Sequence, residues 1–464
     1  MARQKWVRRE WTEDLRDTQL PPCFHLPTDS PPPRVAAGGT KVYQTEEKGE
    51  LLNRMIDDVR AAQEFVCVSS FIFSCDPLAN ALLAAAARGV RVYLLTASEA
   101  HLNKLPRDDD EFSQKCLHEH KALLDRLAGR IVVRTASHFH AKALLVDPCS
   151  PRWTARGWLL TANLTQEALT RNEELAVQLN PDEVEQAFSL FRIAFWEAAE
   201  HELLDKGRLG PATPAQRFFL SEHARGSGPE TISGTLTLGR NTSGYRALRN
   251  EVLRLITNAR KRLIIAMYGF GHEAVLSAIE ERARAGVAVE LLVRMRAASL
   301  QPLIRLAGAG VKTFGLRWLH AKAIWNDNDE ALVMSANLEN RGLESGFELG
   351  VMLHGEDAAS IASVLEQWKA QRAGAFHAKP VVGDLLGSYV SFSASGRPER
   401  FVVEKEAEFE LGEVQRSATH AKGRNSGPPE RRRLPDGTWA HFVVYRWEEP
   451  EPSSDTPPAE TSPA

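Results

Sequence analysis

No stretch of this 464-residue chain approaches the roughly 20 consecutive apolar residues of a membrane-spanning helix. Its first ten residues, Met1 to Glu10, lack the apolar run of a signal peptide. The expectation from both is a soluble, cytoplasmic protein. Cysteine is scarce: Cys23, Cys67, Cys75, Cys116 and Cys149 are an odd number with no C-x-x-C pair. That argues against a disulfide framework or a zinc site and for reduced thiols. Charge of either sign is also nearly absent in the balance, with 57 basic residues against 60 acidic ones and a net charge of −3. A near-neutral chain has no bulk attraction to nucleic acid or anionic lipid, so any anion-binding surface is a local patch. With 43% hydrophobic and 25% charged residues, the composition is that of a globular protein long enough for two or three domains.

What is present is an order of elements that occurs twice. Residues 1–40 are polar, with Pro21-Pro22 and Pro31-Pro32-Pro33, and are expected as an extended lead-in. Apolar residues at helical spacing then predict a helix over Glu50 to Ala62, a strand over Phe65 to Ile72, a helix over Leu78 to Arg88 and a strand over Val90 to Leu95. The order returns as a helix from Tyr245 to Asn258, a strand from Leu263 to Tyr268, a helix from Ala274 to Ala285 and a strand from Val287 to Val293. Arg-Leu-Ala-Gly stands at 126–129 and again at 305–308. The offset is 197 residues at Gly89 and Gly286 but 180 at His140 and His320, so the first half carries an insertion, placed in a polar helix around Asp108 to Leu124. The chain is therefore read as α/β, with two repeated lobes at 41–205 and 241–380 joined by a linker at 206–240. Alternating strands and helices predict a largely parallel sheet. Residues 381–447 read as a β-rich segment with short strands at Tyr389 to Ala394, Arg400 to Lys405, Glu408 to Leu411 and Trp439 to Trp447. Residues 448–464 read as a disordered acidic, Pro-rich tail.

Each lobe carries a His-x-Lys followed by an Asp after four intervening residues: His140, Lys142 and Asp147, then His320, Lys322 and Asp327. Asn163 and Asn337 follow in short apolar runs, and eleven residues beyond each stand Glu174 and Glu348. On a strand, residues two apart share a face, so each His and Lys is expected to point the same way, with Ala141, Ala143, Ala321 and Ala323 packing closely behind. Two lobes meeting face to face then supply two imidazoles and two ammoniums. Cleaving a phosphodiester needs a nucleophile in line with the leaving oxygen and a proton donor opposite it. Two histidines fill those roles, two lysines and two asparagines hold the non-bridging oxygens, and a Glu behind each His orients it. No cofactor is called for.

This constellation resembles the phospholipase D superfamily, over about Val42 to Arg372. The resemblance implies a pseudo-dimer with one shared site and a metal-independent reaction through a phosphohistidine. It implies that His140 attacks, His320 protonates the leaving group, and Lys142, Lys322, Asn163 and Asn337 bind phosphate. Glu174 and Glu348 match the orienting acids. Asp147 and Asp327, counted here with the catalytic set, match motif aspartates that support the fold around the site.

A third pattern, His377, Lys379 and Asp384, fits the same spacing but contains Pro380, lacks the following Asn and Glu, and has no lobe of its own. It is read as incidental, as is His420-Ala-Lys422. His138 is read as a neutral pocket-lining residue, Trp318 as packing rather than stacking on a base, and Arg431-Arg432-Arg433 as a solvated loop. Nucleic acid is the expected substrate, for three reasons: no apolar N-terminal helices are present; Thr161-Ala162 and Ser335-Ala336 stand where lipid enzymes often carry Gly-Ser; and the Thr161 to Thr165 and Arg171 to Val177 segments resemble phospholipase D-like proteins of restriction and phage-defence loci. A phospholipid hydrolase or transphosphatidylase, similar to cardiolipin synthases, is the alternative. A nucleic-acid-binding or scaffold subunit that docks a protein partner through 381–447 is the second alternative.

Overall fold

The computed structural model describes residues 5–10, 22–26, 41–45, 49–97, 110–136, 139–212, 231–236, 245–372, 374–380, 387–392, 398–405, 431–433 and 439–448. The expected strand at Glu408 to Leu411, the acidic tail, His138, Asp384 and the His420 pattern lie outside them. Two compact units result. One comprises Pro32–Arg294 and Arg305–Gln371; the other comprises Met1–Pro31, Met295–Ile304 and Arg372–Ala464.

From the N-terminus the strands begin with β1 (Lys5–Glu10) and β2 (Cys23–Leu26). The first lobe has β3 (Val42–Gln44), β4 (Phe65–Ser69), β5 (Arg91–Ala97), β6 (Val132–Ala136), β7 (Ala143–Val146), β8 (Arg156–Leu160), β9 (Leu175–Leu179), β10 (His201–Asp205) and β11 (Arg208–Pro211). They form a sheet in the order β11-β10-β6-β5-β4-β7-β8-β9-β3. The second lobe has β12 (Ile232–Leu236), β13 (Tyr245–Arg246), β14 (Arg262–Met267), β15 (Ala288–Arg294), β16 (Lys312–Leu316), β17 (Ala323–Asn326), β18 (Glu330–Met334) and β19 (Phe347–His354). Their order, β16-β15-β14-β17-β18-β19-β12-β13, repeats the first strand for strand from β6 to β9. The expected linker thus contributes ordered strands at β11 and β12, the first paired with β10 and the last with β19.

Only part of each sheet is parallel. β4, β5 and β6 pair in parallel, as do β14, β15 and β16, while β7 to β9 and β17 to β19 run antiparallel. Parallel neighbours need a crossover of about a dozen residues or more. The long helical connections after β4 and β5 provide it, and the turn from Val146 to Arg156 does not. The helix Glu50–Ala61 buries Leu51, Leu52, Met55, Ile56 and Val59 on the first sheet, at about 1.5–3 kcal/mol for each large side chain. Between the corresponding strands the first lobe has the helix Asp110–Leu127, twice as long as its counterpart Leu300–Gly308 in the second.

In the other unit, β20 (Gly374–His377), β21 (Gly387–Phe392), β22 (Pro398–Lys405), β23 (Arg431–Arg433) and β24 (Trp439–Glu448) complete the strands. Here the N-terminal stretch is more than a lead-in. β1 pairs antiparallel with β24, and β2 lies between β20 and β21. Cys23 and Phe24 are fully buried, and the Phe24 ring packs 5.0 Å from Phe376. The Arg431–Arg433 stretch, expected as a loop, pairs with β24, an arrangement that depends on a partner distant in sequence.

Candidate active site

The residues of each His-x-Lys precede a strand rather than lie within it. The backbone N–H groups of His140 and Ala141 both donate to the Phe347 carbonyl of the second lobe, at 3.0 and 2.9 Å. Those of His320 and Ala321 donate to the Glu173 carbonyl of the first, at 3.1 and 2.9 Å. β7 and β17 begin two residues later. The expected shared strand face is therefore replaced by an exchange between lobes: each motif takes its backbone partners from the other half. Ala141, Ala143, Ala321 and Ala323 are all buried beneath.

That exchange also crosses the acids. Glu348 of the second lobe accepts from His140 Nδ1 at 3.0 Å, and Glu174 of the first accepts from His320 Nδ1 at 2.7 Å. Holding Nδ1–H leaves Nε2 of each ring as the reactive nitrogen. The second oxygen of each Glu is held too. Thr161 Oγ1 donates to Glu174 Oε2 at 2.6 Å, and Ser335 Oγ donates to Glu348 Oε2. Sequence reasoning missed Thr161 and Ser335 in this role. The signal was there: both stand two residues before the motif Asn, and both carry a hydroxyl.

Lys142 and Lys322 are fully buried, and each Nζ donates to the carbonyl of its own His. An isolated buried ammonium costs several kcal/mol, so these must be balanced by nearby charge. Both feel Glu174 and Glu348, and Lys142 feels Lys322 as well. With two ammoniums and two carboxylates the fixed charges cancel while both imidazoles are neutral. Burial, and behind it the Lys142 ammonium, hold His140 below the ordinary imidazole range despite the pull of Glu348. Burial does the same to His320 against the pull of Glu174. Burial brings Lys322 down to about 8 and pushes Lys142 down as well. Burial acts on Glu174 and Glu348 in the opposite sense, but for each the facing histidine, a buried lysine and the hydroxyl of Thr161 or Ser335 together outweigh it and leave the carboxyl below its usual range. A bound phosphodiester monoanion adds one negative charge to this balanced set and favours uptake of one proton by an imidazole.

Asn163 and Asn337 are fixed by the leucine after each. The Leu164 carbonyl accepts from the N–H groups of Ser74 and Cys75, and the Leu338 carbonyl from those of Gly271 and His272. A Cβ at Gly269 would lie 3.3 Å from Asn337 Cγ. Next to Gly269, the Tyr268 ring stands edge-on to His320 at 4.8 Å, and Phe71 meets His140 in the same way at 5.2 Å. The side-chain carbonyl oxygens of Asn163 and Asn337 are buried without a hydrogen-bond partner among the described residues.

Asp147 and Asp327 stand apart from this cluster. Asp147 accepts the backbone N–H groups of Gln63, Glu64 and Phe65 at 3.0, 2.7 and 2.9 Å, pinning the entry to β4 from the far end of β7. Asp327 accepts those of Arg260 and Lys261 before β14 in the same way. The geometry makes them anchors rather than catalytic groups. Asp147→Ala should therefore cost about 2–4 kcal/mol of unfolding free energy in urea titrations. Turnover per folded molecule should stay within about 3-fold, since general acid–base groups contribute far more. A cleft of about 660 Å³ lined by Arg254, Arg260, Arg282 and Asn328 lies at that same Asp327 end and holds none of the cluster.

His377 is in β20, opposite Cys23, with its nearest ring neighbour His25 at 6.4 Å. Nothing of the His–Glu–Lys cluster surrounds it among the described residues. Trp318, expected to pack, packs against arginines. Its ring is partly exposed and carries the guanidinium groups of Arg171, Arg317 and Arg294 at 4.2, 4.9 and 5.4 Å. Among the described residues no group of three or more His, Cys, Asp or Glu side chains is arranged to hold a metal ion, and no helix is long and apolar enough to cross a membrane.

Comparison with known proteins places the same two halves together. The family described as "Cardiolipin synthase, PLD-like domain" matches residues 55–192 and 252–371. A cardiolipin synthase of Clostridium perfringens is 22% identical over 333 residues, 67% of this chain and 66% of that protein. Cardiolipin synthase 2 of Staphylococcus epidermidis is 22% identical over 325 residues, 66% of this chain and 63% of that one. The match thus spans just under two thirds of the length of these relatives. The crystal structure of phosphatidylserine synthase from Haemophilus influenzae Rd KW20 covers 76% of this chain and 89% of its own, at 13% identity and a TM-score of 0.48.

Proposed function

From the premise that this chain belongs to the phospholipase D superfamily, we propose that it is a phospholipid-directed phosphodiesterase that transfers a phosphatidyl group through His140 to water or an alcohol. The observation that carries the chemistry is the crossed pair, His140 on Glu348 and His320 on Glu174, around two buried lysines. With Glu348 holding Nδ1–H, His140 Nε2 attacks phosphorus; the P–N bond forms as the P–O bond to the leaving alcohol breaks. His320, protonated through Nε2 when the phosphate enters, gives that proton to the leaving oxygen. It then takes the proton of the incoming water or alcohol, whose oxygen displaces His140. Lys142, Lys322 and the amide groups of Asn163 and Asn337 hold the non-bridging oxygens throughout.

Phospholipid replaces nucleic acid as the favoured substrate for two reasons. Two relatives that match along both lobes, from Clostridium perfringens and Staphylococcus epidermidis, are cardiolipin synthases. The Thr161 and Ser335 hydroxyls, counted above toward nucleic acid, hold Glu oxygens and so speak to histidine orientation rather than to substrate class.

The test presents anionic phospholipid vesicles, single-stranded and duplex DNA, and RNA to the protein in excess EDTA, with His140→Ala as the control. Release of a lipid headgroup or formation of a transfer product, absent in the control and within about 2-fold of the rate without chelator, is expected, because the lysines supply the positive charge a metal often gives. Nucleic-acid cleavage that the control lacks would return the protein to the nuclease reading. Turnover lost in EDTA and restored by a metal would overturn the mechanism.

A further inference from the structure

Where β3 pairs with β9, Gln44 stands opposite Leu175, so the next residue, Thr45, stands opposite Glu174. The Thr45 N–H donates to the Glu174 carbonyl at 3.2 Å. Its buried hydroxyl donates to the Asn172 carbonyl and accepts the Glu174 N–H at 3.3 Å. A hydroxyl has one proton to give, and here it is given to backbone. One side chain thus holds the chain on both sides of Glu173. Glu173 itself turns to the second lobe: its N–H donates to the Trp318 carbonyl at 3.2 Å, and its carbonyl takes the N–H groups of His320 and Ala321. Glu174 adds the carboxylate bond to His320 Nδ1. Residues 172–174 therefore carry both the backbone and the side-chain support of His320, and Thr45 fastens them to their own lobe. The second lobe has the same residue type in the same place without the same use. Thr235 of β12 stands opposite Glu348 of β19 and is fully buried, but its hydroxyl has no hydrogen-bond partner among the described residues.

We infer that Thr45 is a positioning residue for His320, fixing the 172–174 segment and through it the imidazole that Glu173 and Glu174 hold. Without the hydroxyl, one carbonyl and one N–H are left unpaired in a dry interior, and the segment shifts to satisfy them. Such a shift at Glu174 displaces the ring whose Nε2–H must meet the leaving oxygen, and proton transfer tolerates little misplacement. Thr161 cannot make up the loss, because it holds the Glu174 carboxylate and not the backbone on either side of Glu173. This inference rests on the assignment of His320 as the proton donor, and not on the phospholipid reading.

Three variants test it. Thr45→Val keeps the shape and the backbone bond but removes the hydroxyl, and Thr45→Ser keeps the hydroxyl. Thr235→Val makes the same change where the hydroxyl holds nothing. On phospholipid in mixed micelles, kcat should fall about 10-fold in Thr45→Val with KM within about 2-fold, and should return in Thr45→Ser. Phosphoenzyme formation from bis(p-nitrophenyl) phosphate, whose phenolate departs without a proton, should change by less than about 2-fold. Thr235→Val should leave both rates as they are. The Nδ1–H proton resonance of His320, identified by its absence from His320→Ala, reads the same positioning without turnover. It should shift or broaden in Thr45→Val, return in Thr45→Ser and stay in place in Thr235→Val. Equal losses on both donors in Thr45→Val, an equal loss from Thr235→Val, or a resonance that Thr45→Val leaves unmoved would overturn the inference. Cleavage of a DNA oligonucleotide and not of phospholipid would instead sink the proposed function. Its leaving sugar hydroxyl also needs a proton, so the Thr45 comparison is then read on that substrate. With neither cleaved, the resonance alone decides.

Discussion

His320→Ala should lose about 10²–10⁴-fold in turnover on a phospholipid, the contribution of a positioned general acid, yet form the phosphoenzyme from a p-nitrophenyl phosphodiester no more than about 10-fold more slowly than the unaltered protein. The p-nitrophenolate ion departs without a proton, so the group that supplies one matters little in the first step. His140→Ala should lose activity on both substrates and should yield no acid-labile phosphoenzyme after quenching, because it removes the atom to which phosphorus bonds. The two variants differ only in which step each histidine serves, so the pair assigns the roles directly. Rescue of His140→Ala by the good leaving group, with His320→Ala inactive on both, would reverse the assignment and place the nucleophile in the second lobe. Equal loss from His377→Ala would mean that the third motif had been dismissed wrongly.

Glu348→Gln should cost about 10³–10⁴-fold in kcat, comparable to removing the orienting carboxylate of a serine-protease triad. A Gln side chain presents an N–H or a weaker carbonyl to Nδ1 and no longer fixes which ring nitrogen is free. Because Glu348 faces His140 and Glu174 faces His320, the two acids should fail at different steps. Glu348→Gln should slow phosphoenzyme formation on every substrate. Glu174→Gln should fail on phospholipid but recover much of its rate of phosphoenzyme formation with p-nitrophenol as the leaving group. A quench-flow measurement of phosphoenzyme on both donors decides it. If each Glu instead failed with the histidine of its own lobe, the crossed geometry would not be the one at work in catalysis.

The duplication, the lobe content and the cluster's membership were legible because they are local or periodic. Helical spacing marked Leu51 to Val59. The repeated His, Lys, Asn and Glu marked the residues that the folded chain gathers. What was not legible follows from partners far apart in sequence. β1 and β24 pair across most of the chain, and a polar lead-in gives no sign of it. A His-x-Lys looks like strand, but its backbone hydrogen bonds go to Phe347 and Glu173 of the opposite lobe, and no spacing rule records that.

By itself, then, the sequence determined that two like lobes each bring one imidazole, one ammonium, one amide and one carboxylate, since residue type and period survive in the linear text. The tertiary structure alone decided that each carboxylate serves the other lobe's histidine and that Asp147 and Asp327 anchor backbone N–H groups. Those outcomes depend on which surfaces of two similar lobes face each other. Such a choice is made by packing over long separations and not by any neighbour along the chain.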